Sequence, residues 1–311
     1  MPLHFHINVP VQGKISATQV DNLGFLSSPF DKIDRNTSIF FPFMRTCHSI
    51  GDWGVISRLP EILKKFYPNS SFYIPTSECI NDFFKDNFQQ GNWKESNKYP
   101  ELVAEWIFNN NPFIDGKFST KEVTGEIFSD HHRILNNKIN EPLVEKIAKF
   151  FGVTEEYLNN ISTTPKLYFT EEEINKAKSI TGENYGCLLL GSRIPQYNNQ
   201  WEFDHHLKLY AEKYKNIPVF YYSSFDLSNT WWNDYFPNKT SFTDLNLSFR
   251  EQLCIKSLAK FNLGYQSGIT DSISGNCNEV ITLTPYNEQK LGSNIIRNVT
   301  YIFQDGTKKI Y

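Results

Sequence analysis

Between residues 38 and 74 a strand, a small-residue turn, a helix and a second strand follow one another, and this run constrains the fold of the 311-residue chain more than any other feature. Ser38–Met44 (SIFFPFM) reads as a buried strand, and Arg45–Gly54 (RTCHSIGDWG) as a turn. Val55–Tyr67 (VISRLPEILKKFY) places Val55, Ile56, Leu59, Ile62, Leu63 and Phe66 at helical spacing. Pro68-Asn69-Ser70 stops that helix before the strand SFYI, Ser71–Ile74. Strand, helix and strand in succession form a βαβ unit, which requires a parallel sheet.

The second half repeats the rhythm. Glu171–Ile180 reads as a helix, Gly186–Leu190 (GCLLL) as a buried strand, Phe203–Tyr214 as a helix and Pro218–Tyr222 as a strand. Ser248–Lys260 is helical, and Phe261–Tyr265 leads into the small-residue loop Gln266–Gly275. Glu279–Thr284 (EVITLT) is a strand stopped by Pro285. Glu141–Phe151 is an amphipathic helix, residues 152–166 read as a connection, and NNNPFIDGKFSTKE reads as loop. Residues 1–37 are polar, with a short strand in HFHINV and no motif. The length exceeds what one core usually supports, so two domains of about 150 residues are expected. We place them at 1–160, with 1–37 as an extension, and 161–311. The expected class is α/β with two Rossmann-like domains.

Three loops fall where strands end. In Ser49-Ile50-Gly51-Asp52-Trp53-Gly54 the glycines permit close backbone approach, and Asp52 reads either as the cap of the following helix or as a general base. His48, Gly51, Trp53 and Gly54 would then line a cleft. Leu190-Gly191-Ser192-Arg193 is either a surface turn or a phosphate contact through Ser192 and the Arg193 fork. In Gly264–Gly275, the run Gln266, Ser267, Gly268, Ile269, Thr270 and Asp271 leads into a short helix. It reads either as an unliganded turn or as an anion cradle. Adjacent pairs such as His131-His132 and His205-His206 point apart on regular elements and make poor shared metal ligands. Trp231-Trp232 reads more simply as packing than as a stacking platform.

Lys and Arg number 31 against 34 Asp and Glu, for a net charge of -3, so no basic excess supports stable nucleic-acid binding. Cys47, Cys79, Cys187, Cys254 and Cys277 are scattered without CxxC spacing, which suits reduced thiols. The N-terminus lacks signal-peptide design, and no run nears the roughly 18 apolar residues of a membrane span. A cytoplasmic protein is expected, with peripheral membrane contact through a small patch left open.

In order, these segments resemble the ADP-heptose:lipopolysaccharide heptosyltransferase family, a GT-B glycosyltransferase group. SIGDWGVISRLPEILKKFYPNSSFYI is similar to that family's opening strand–loop–helix, with Asp52 at the position of its proposed base. TPKLYFTEEEINKAKSI, LLLGSRIPQYNNQWEFDHHLKLYAEKY and SFREQLCIKSLAKFNLGYQSGITDSISGNCNEVITLTP resemble its donor-domain entry, first strand and loop, and closing segment. The likeness covers residues 38–80 and 165–287. The family's Lys after the Gly-Ser loop is absent here, leaving Arg193 in its place, and its Asp and His become Gln266 and Asp271.

The resemblance implies parallel sheets facing a central cleft, with the acceptor on the N-terminal domain and the donor on the C-terminal one. It implies inverting transfer from a nucleotide sugar to a glycan or lipid-linked acceptor, with no cofactor and no required metal. Asp226-Leu227-Ser228 and Asp244-Leu245-Asn246 supply no DxD-type metal motif. Two rivals stay open: another sugar-nucleotide reaction on the same fold, such as epimerisation, and a degenerate module that binds without turnover.

Overall fold

The computed structural model describes residues 3–4, 34–44, 50–80, 103–118, 127–128, 141–189, 205, 208–222, 232–284, 295–303 and 305–311. Of residues 3, 4, 40, 42, 44, 52, 127, 128 and 271 it describes the backbone alone. The chain divides into two units, Met1–Thr163 and Thr164–Tyr311.

The first unit is built on a five-stranded sheet in the order β1-β2-β3-β4, with β5 also paired to β2. The strands are β1 (Leu3–His4), β2 (Ile39–Met44), β3 (Ser71–Pro75), β4 (Gly116–Phe118) and β5 (Ile127–Phe128). Every pairing is parallel, as a βαβ reading demands. β1, beside β2, shares His4 with the short strand expected in HFHINV, whose residues 5–9 lie outside the described residues. The segment GKF, expected as loop, is strand β4, because Asp115 locks it in place. The Asp115 carboxylate accepts the Phe72 N–H at 2.7 Å, and its own N–H donates to Phe72 O at 2.9 Å.

Aromatic rings fill this core. Phe41 meets Phe151 edge-on at 5.5 Å, and Phe43 packs on Phe72 at 5.4 Å. The Tyr67 hydroxyl, buried with them, donates to Phe151 O at 2.7 Å, so its one polar atom stays satisfied in an apolar layer.

Of the helix expected over Val55–Tyr67 the structure has Leu59–Phe66, preceded by turns over 55–58, and a separate short helix, Ile50–Gly54, stands where a turn was expected. Pro60 explains the break: it has no N–H to give to the Ile56 carbonyl, so a helix cannot run through it, yet it fits the first turn of a new one. The connection expected over 152–166 includes one helical turn, Glu155–Leu158, capped by Thr154, whose hydroxyl accepts the Tyr157 N–H at 3.3 Å.

The second unit holds a seven-stranded sheet in the order β12-β11-β10-β9-β6-β7-β8. Its strands are β6 (Gly186–Leu189), β7 (Val219–Tyr222), β8 (Lys239–Ser241), β9 (Phe261–Tyr265), β10 (Val280–Leu283), β11 (Val299–Ile302) and β12 (Lys308–Ile310). Only β12 runs antiparallel. Counted from β6, the six parallel strands follow the doubly wound order 3-2-1-4-5-6.

The registers are in phase, so alternate residues share a face. Leu188, Leu263, Tyr265, Ile281, Leu283 and Ile302 form one apolar cluster with Tyr214, Trp232 and Phe236. Cys187 and Phe220 lie on the opposite face, under Cys254 and Ile255 of the Phe249–Leu258 helix and Ala177 of the Glu171–Thr181 helix. Both helices start with capping boxes, Thr170 with Glu173 and Ser248 with Glu251. Arg250 joins them by an ion pair to Glu173 at 2.9 Å.

Candidate functional site

In an open parallel sheet, ligands bind beyond the carboxyl ends of the strands where the winding reverses. In the second unit that point lies between β6 and β9, which are neighbours in the sheet with β7 and β8 on one side and β10 and β11 on the other. The chain leaving β6 carries Ser192 and Arg193, and the chain leaving β9 carries Gln266 to Asp271. Strands β6 and β9, which in the sequence precede two of the three loops singled out, thus meet at one topological switch point. Ser192 and Arg193 lie outside the described residues, so the geometry below is that of the β9 side.

Gly264 permits the close approach of the two strands. It has φ +153°, and a Cβ placed on it would lie 2.1 Å from Leu189 O, so no side chain fits there. Gln266 follows β9, and its N–H donates to Leu283 O at 2.8 Å, extending the pairing with β10 by one step. The Thr284 hydroxyl at the end of β10 donates to Gln266 Oε1 at 2.8 Å, and both side chains are buried.

The Ser267 hydroxyl accepts the Ile269 N–H at 3.2 Å, turning the chain into the short helix Gly268–Ser272. Ile269 is half-buried and Thr270 is buried. The Thr270 hydroxyl has no partner among the described residues. Asp271 sits in the same helix. Behind this turn Asn276 grips Leu167 with two hydrogen bonds, Leu167 N–H to Oδ1 and Nδ2 to Leu167 O, each 2.8 Å.

A polar layer runs below the turn on the same sheet face. Asn262 donates from Nδ2 to Lys256 O at 2.9 Å and to Cys277 Sγ at 3.0 Å. Lys256 is fully buried, and burial lowers the pKa of its amine, although the nearby Cys187 and Cys277 work the other way. Burial likewise pushes the Cys187 thiol up to about 12. Lys256 Nζ, Asn262 Oδ1 and the Thr282 hydroxyl are buried without partners among the described residues. Each such group costs about 1–3 kcal/mol when nothing satisfies it. Lys256, Asn262, Thr282 and Thr284 escaped the sequence reading, though the alternation in EVITLT would have put Thr282 and Thr284 beside Gly264 and Gln266 once the strands were paired.

In the first unit, Gly51, Asp52, Trp53 and Gly54 lie on the Ile50–Gly54 helix and not on a loop. Gly54 closes this helix and the next begins only at Leu59, so Asp52 lies within a helix and does not cap the following one. Trp53 belongs to the core: it is 1% exposed and meets Phe108 edge-on at 6.1 Å. Gly54 is buried and Gly51 half-buried. His48 lies outside the described residues. Trp232 is core and His205 exposed, while Trp231, His206 and the His131-His132 pair lie outside the described residues.

None of the four described cysteines, Cys79, Cys187, Cys254 and Cys277, is in a disulfide among the described residues. Among the described residues no group of three or more His, Cys, Asp or Glu is placed to hold a metal ion, and no helix is long and apolar enough to cross a membrane.

Two Rossmann-like units in succession give the chain a GT-B-type α/β fold. No family model matches the chain, and no curated protein sequence matches it. Among solved structures, the glycosyl transferase family 9 protein from Veillonella parvula DSM 2008 matches with a TM-score of 0.55 at 10% identity, over 84% of this chain and 85% of that one. The ADP-heptose lipopolysaccharide heptosyltransferase II of E. coli matches with a TM-score of 0.48 at 10% identity, over 85% of this chain and 92% of that one.

Proposed function

We propose that the chain is a glycosyltransferase that moves a hexosyl or heptosyl group from a nucleotide-diphosphate-sugar donor to an acceptor hydroxyl, with inversion and without a required metal. The second unit takes the donor and the first takes a glycan or lipid-linked acceptor, in cytoplasmic glycan or lipopolysaccharide-type synthesis. Asp52, on the helix that follows β2, accepts the proton of the attacking hydroxyl. Ser192, Arg193 and the Gln266–Asp271 turn stabilise the departing nucleoside diphosphate by hydrogen bonds and charge set in place before reaction. The proton goes to Asp52, the new glycosidic bond forms as the sugar–phosphate bond breaks, and the diphosphate leaves with the bonding electrons.

One observation supports this reading: the 3-2-1-4-5-6 strand order brings the carboxyl ends of β6 and β9 together at a single switch point. Thermal shift against ADP-, GDP-, UDP-, CMP- and dTDP-sugars tests it, because a ligand that binds only the folded protein raises its melting temperature. A shift with one nucleotide family supports the reading, and the absence of any shift ends it. With a matched acceptor, Asp52→Asn is expected to lower kcat by about 10²–10⁴-fold while donor binding persists. Full activity in that variant would remove Asp52 from its role. Conversion of the donor with no acceptor present would favour the epimerase-type reaction, and binding without turnover the degenerate module.

A further inference from the structure

Thr284 closes β10 and Gln266 closes β9, on adjacent parallel strands. Both are tied to the sheet by their backbones, Gln266 N–H to Leu283 O at 2.8 Å and Thr284 N–H to Ile302 O at 3.0 Å. Their side chains meet through the 2.8 Å hydrogen bond from the Thr284 hydroxyl to Gln266 Oε1, between residues 0% and 7% exposed. A carboxamide has one acceptor oxygen and two N–H donors. Here the oxygen is taken, which leaves the two N–H groups of Nε2 as the groups that can meet a ligand. The Thr270 hydroxyl, 2% exposed and four residues further along the same turn, is without a partner among the described residues. Nearly buried donors without internal partners are satisfied from outside or cost free energy.

We propose that Thr284 is a positioning residue: it holds the Gln266 carboxamide by its oxygen so that only N–H groups face the donor, where they meet the phosphate oxygens of a nucleoside diphosphate. This rests on the nucleotide-sugar reading above. Phosphate oxygens only accept hydrogen bonds, and their charge strengthens the bond they receive. A carboxylate at residue 266 would instead repel them. The neutral Gln266 thus fits the phosphates, whereas an acid there would suit sugar hydroxyls.

The test uses ADP, GDP or UDP, whichever shifts the wild-type protein, beside the corresponding nucleotide sugar, with affinities from calorimetry. Thr284→Val keeps the shape and the backbone bond to Ile302 but loses the hydroxyl. It is expected to weaken the diphosphate and the nucleotide sugar alike, by about tenfold, the scale of one lost hydrogen bond. Thr284→Ser restores the hydroxyl and should recover most of that loss, and Gln266→Glu should weaken both ligands further than Thr284→Val does. Wild-type affinity in Thr284→Val overturns the proposal, as does a Thr284→Ser protein as weak as Thr284→Val, since packing alone would then explain the loss. A loss confined to the nucleotide sugar overturns the phosphate assignment. If the wild-type protein binds no nucleotide at all, the glycosyltransferase reading falls first and this proposal with it.

Discussion

The two faces of strands β9 and β10 are made of different material. On one, Leu263, Tyr265, Ile281 and Leu283 join Phe236 and Trp232 in a continuous apolar layer. On the other, the same two strands present Asn262, Thr282, Gln266 and Thr284, with Lys256 buried among them. Apolar burial of this kind drives folding at roughly 25 cal/mol per Å². The polar layer works against it wherever a donor or acceptor goes unmet. Strands β9 and β10 therefore draw more of their stability from the apolar face than from the polar one.

Removing apolar bulk should produce the largest effect on this contrast. Leu263→Ala is expected to destabilise the second unit by about 2–5 kcal/mol in urea denaturation, through lost transfer energy and a cavity the strands cannot close. A loss under about 1 kcal/mol would mean the apolar face is not what holds β9 in place.

Lys256→Met comes next, with the opposite sign. It should stabilise by about 1–3 kcal/mol, since it replaces a buried amine by a side chain of similar reach. Burial favours the neutral amine, so the native protein binds fewer protons than the unfolded chain. Wild-type stability should therefore rise with pH from the lowered native value up to the ordinary lysine range, roughly pH 10.4, and level off beyond both. That slope should disappear in Lys256→Met when denaturation midpoints are compared across the window. Equal slopes would mean that the amine is charged and satisfied in the native protein.

The smallest effect is expected at Thr282. Thr282→Val removes a buried hydroxyl without a partner among the described residues and keeps its shape, so stability should change by no more than about 1 kcal/mol, towards greater stability. A clear destabilisation would mean that the hydroxyl is satisfied, and the contrast between the faces would narrow accordingly.

Much of the architecture was legible from periodicity. β2, β3, β6, β7 and β10 are apolar runs bounded by turns, and the helices at Leu143–Phe150, Glu171–Thr181 and Phe249–Leu258 carry their own caps or apolar spacing. β8, β11 and β12 went unread: Lys239–Ser241 and Lys308–Ile310 are edge-side strands with little apolar content, made by pairing and not by propensity. Pro60 was in plain view, but the apolar spacing around it argued for a continuous helix and won. Trp53 misled for a related reason: a tryptophan between two glycines looks like loop furniture until Phe108, far along the chain, arrives to pack on it. At the switch point the sequence offered Gln266 but not Thr284, because a contact across two parallel strands depends on a register that no local signal encodes.

The stretch where one unit gives way to the next bears on how such a chain can be remodelled. Thr163 donates its hydroxyl to Glu145 at 2.6 Å, and one residue later the chain belongs to the other unit, with Pro165 O accepting from Gly275 and Leu167 held by Asn276. Thr163, Thr164 and Pro165 are all buried, whereas Asn159 and Asn160 are exposed. Modularity of fold and modularity of sequence therefore part company here. An inserted peptide, a tag or a new pair of termini belongs at Asn159-Asn160, upstream of the formal boundary, because a cut at 163–164 would open buried backbone on both sides.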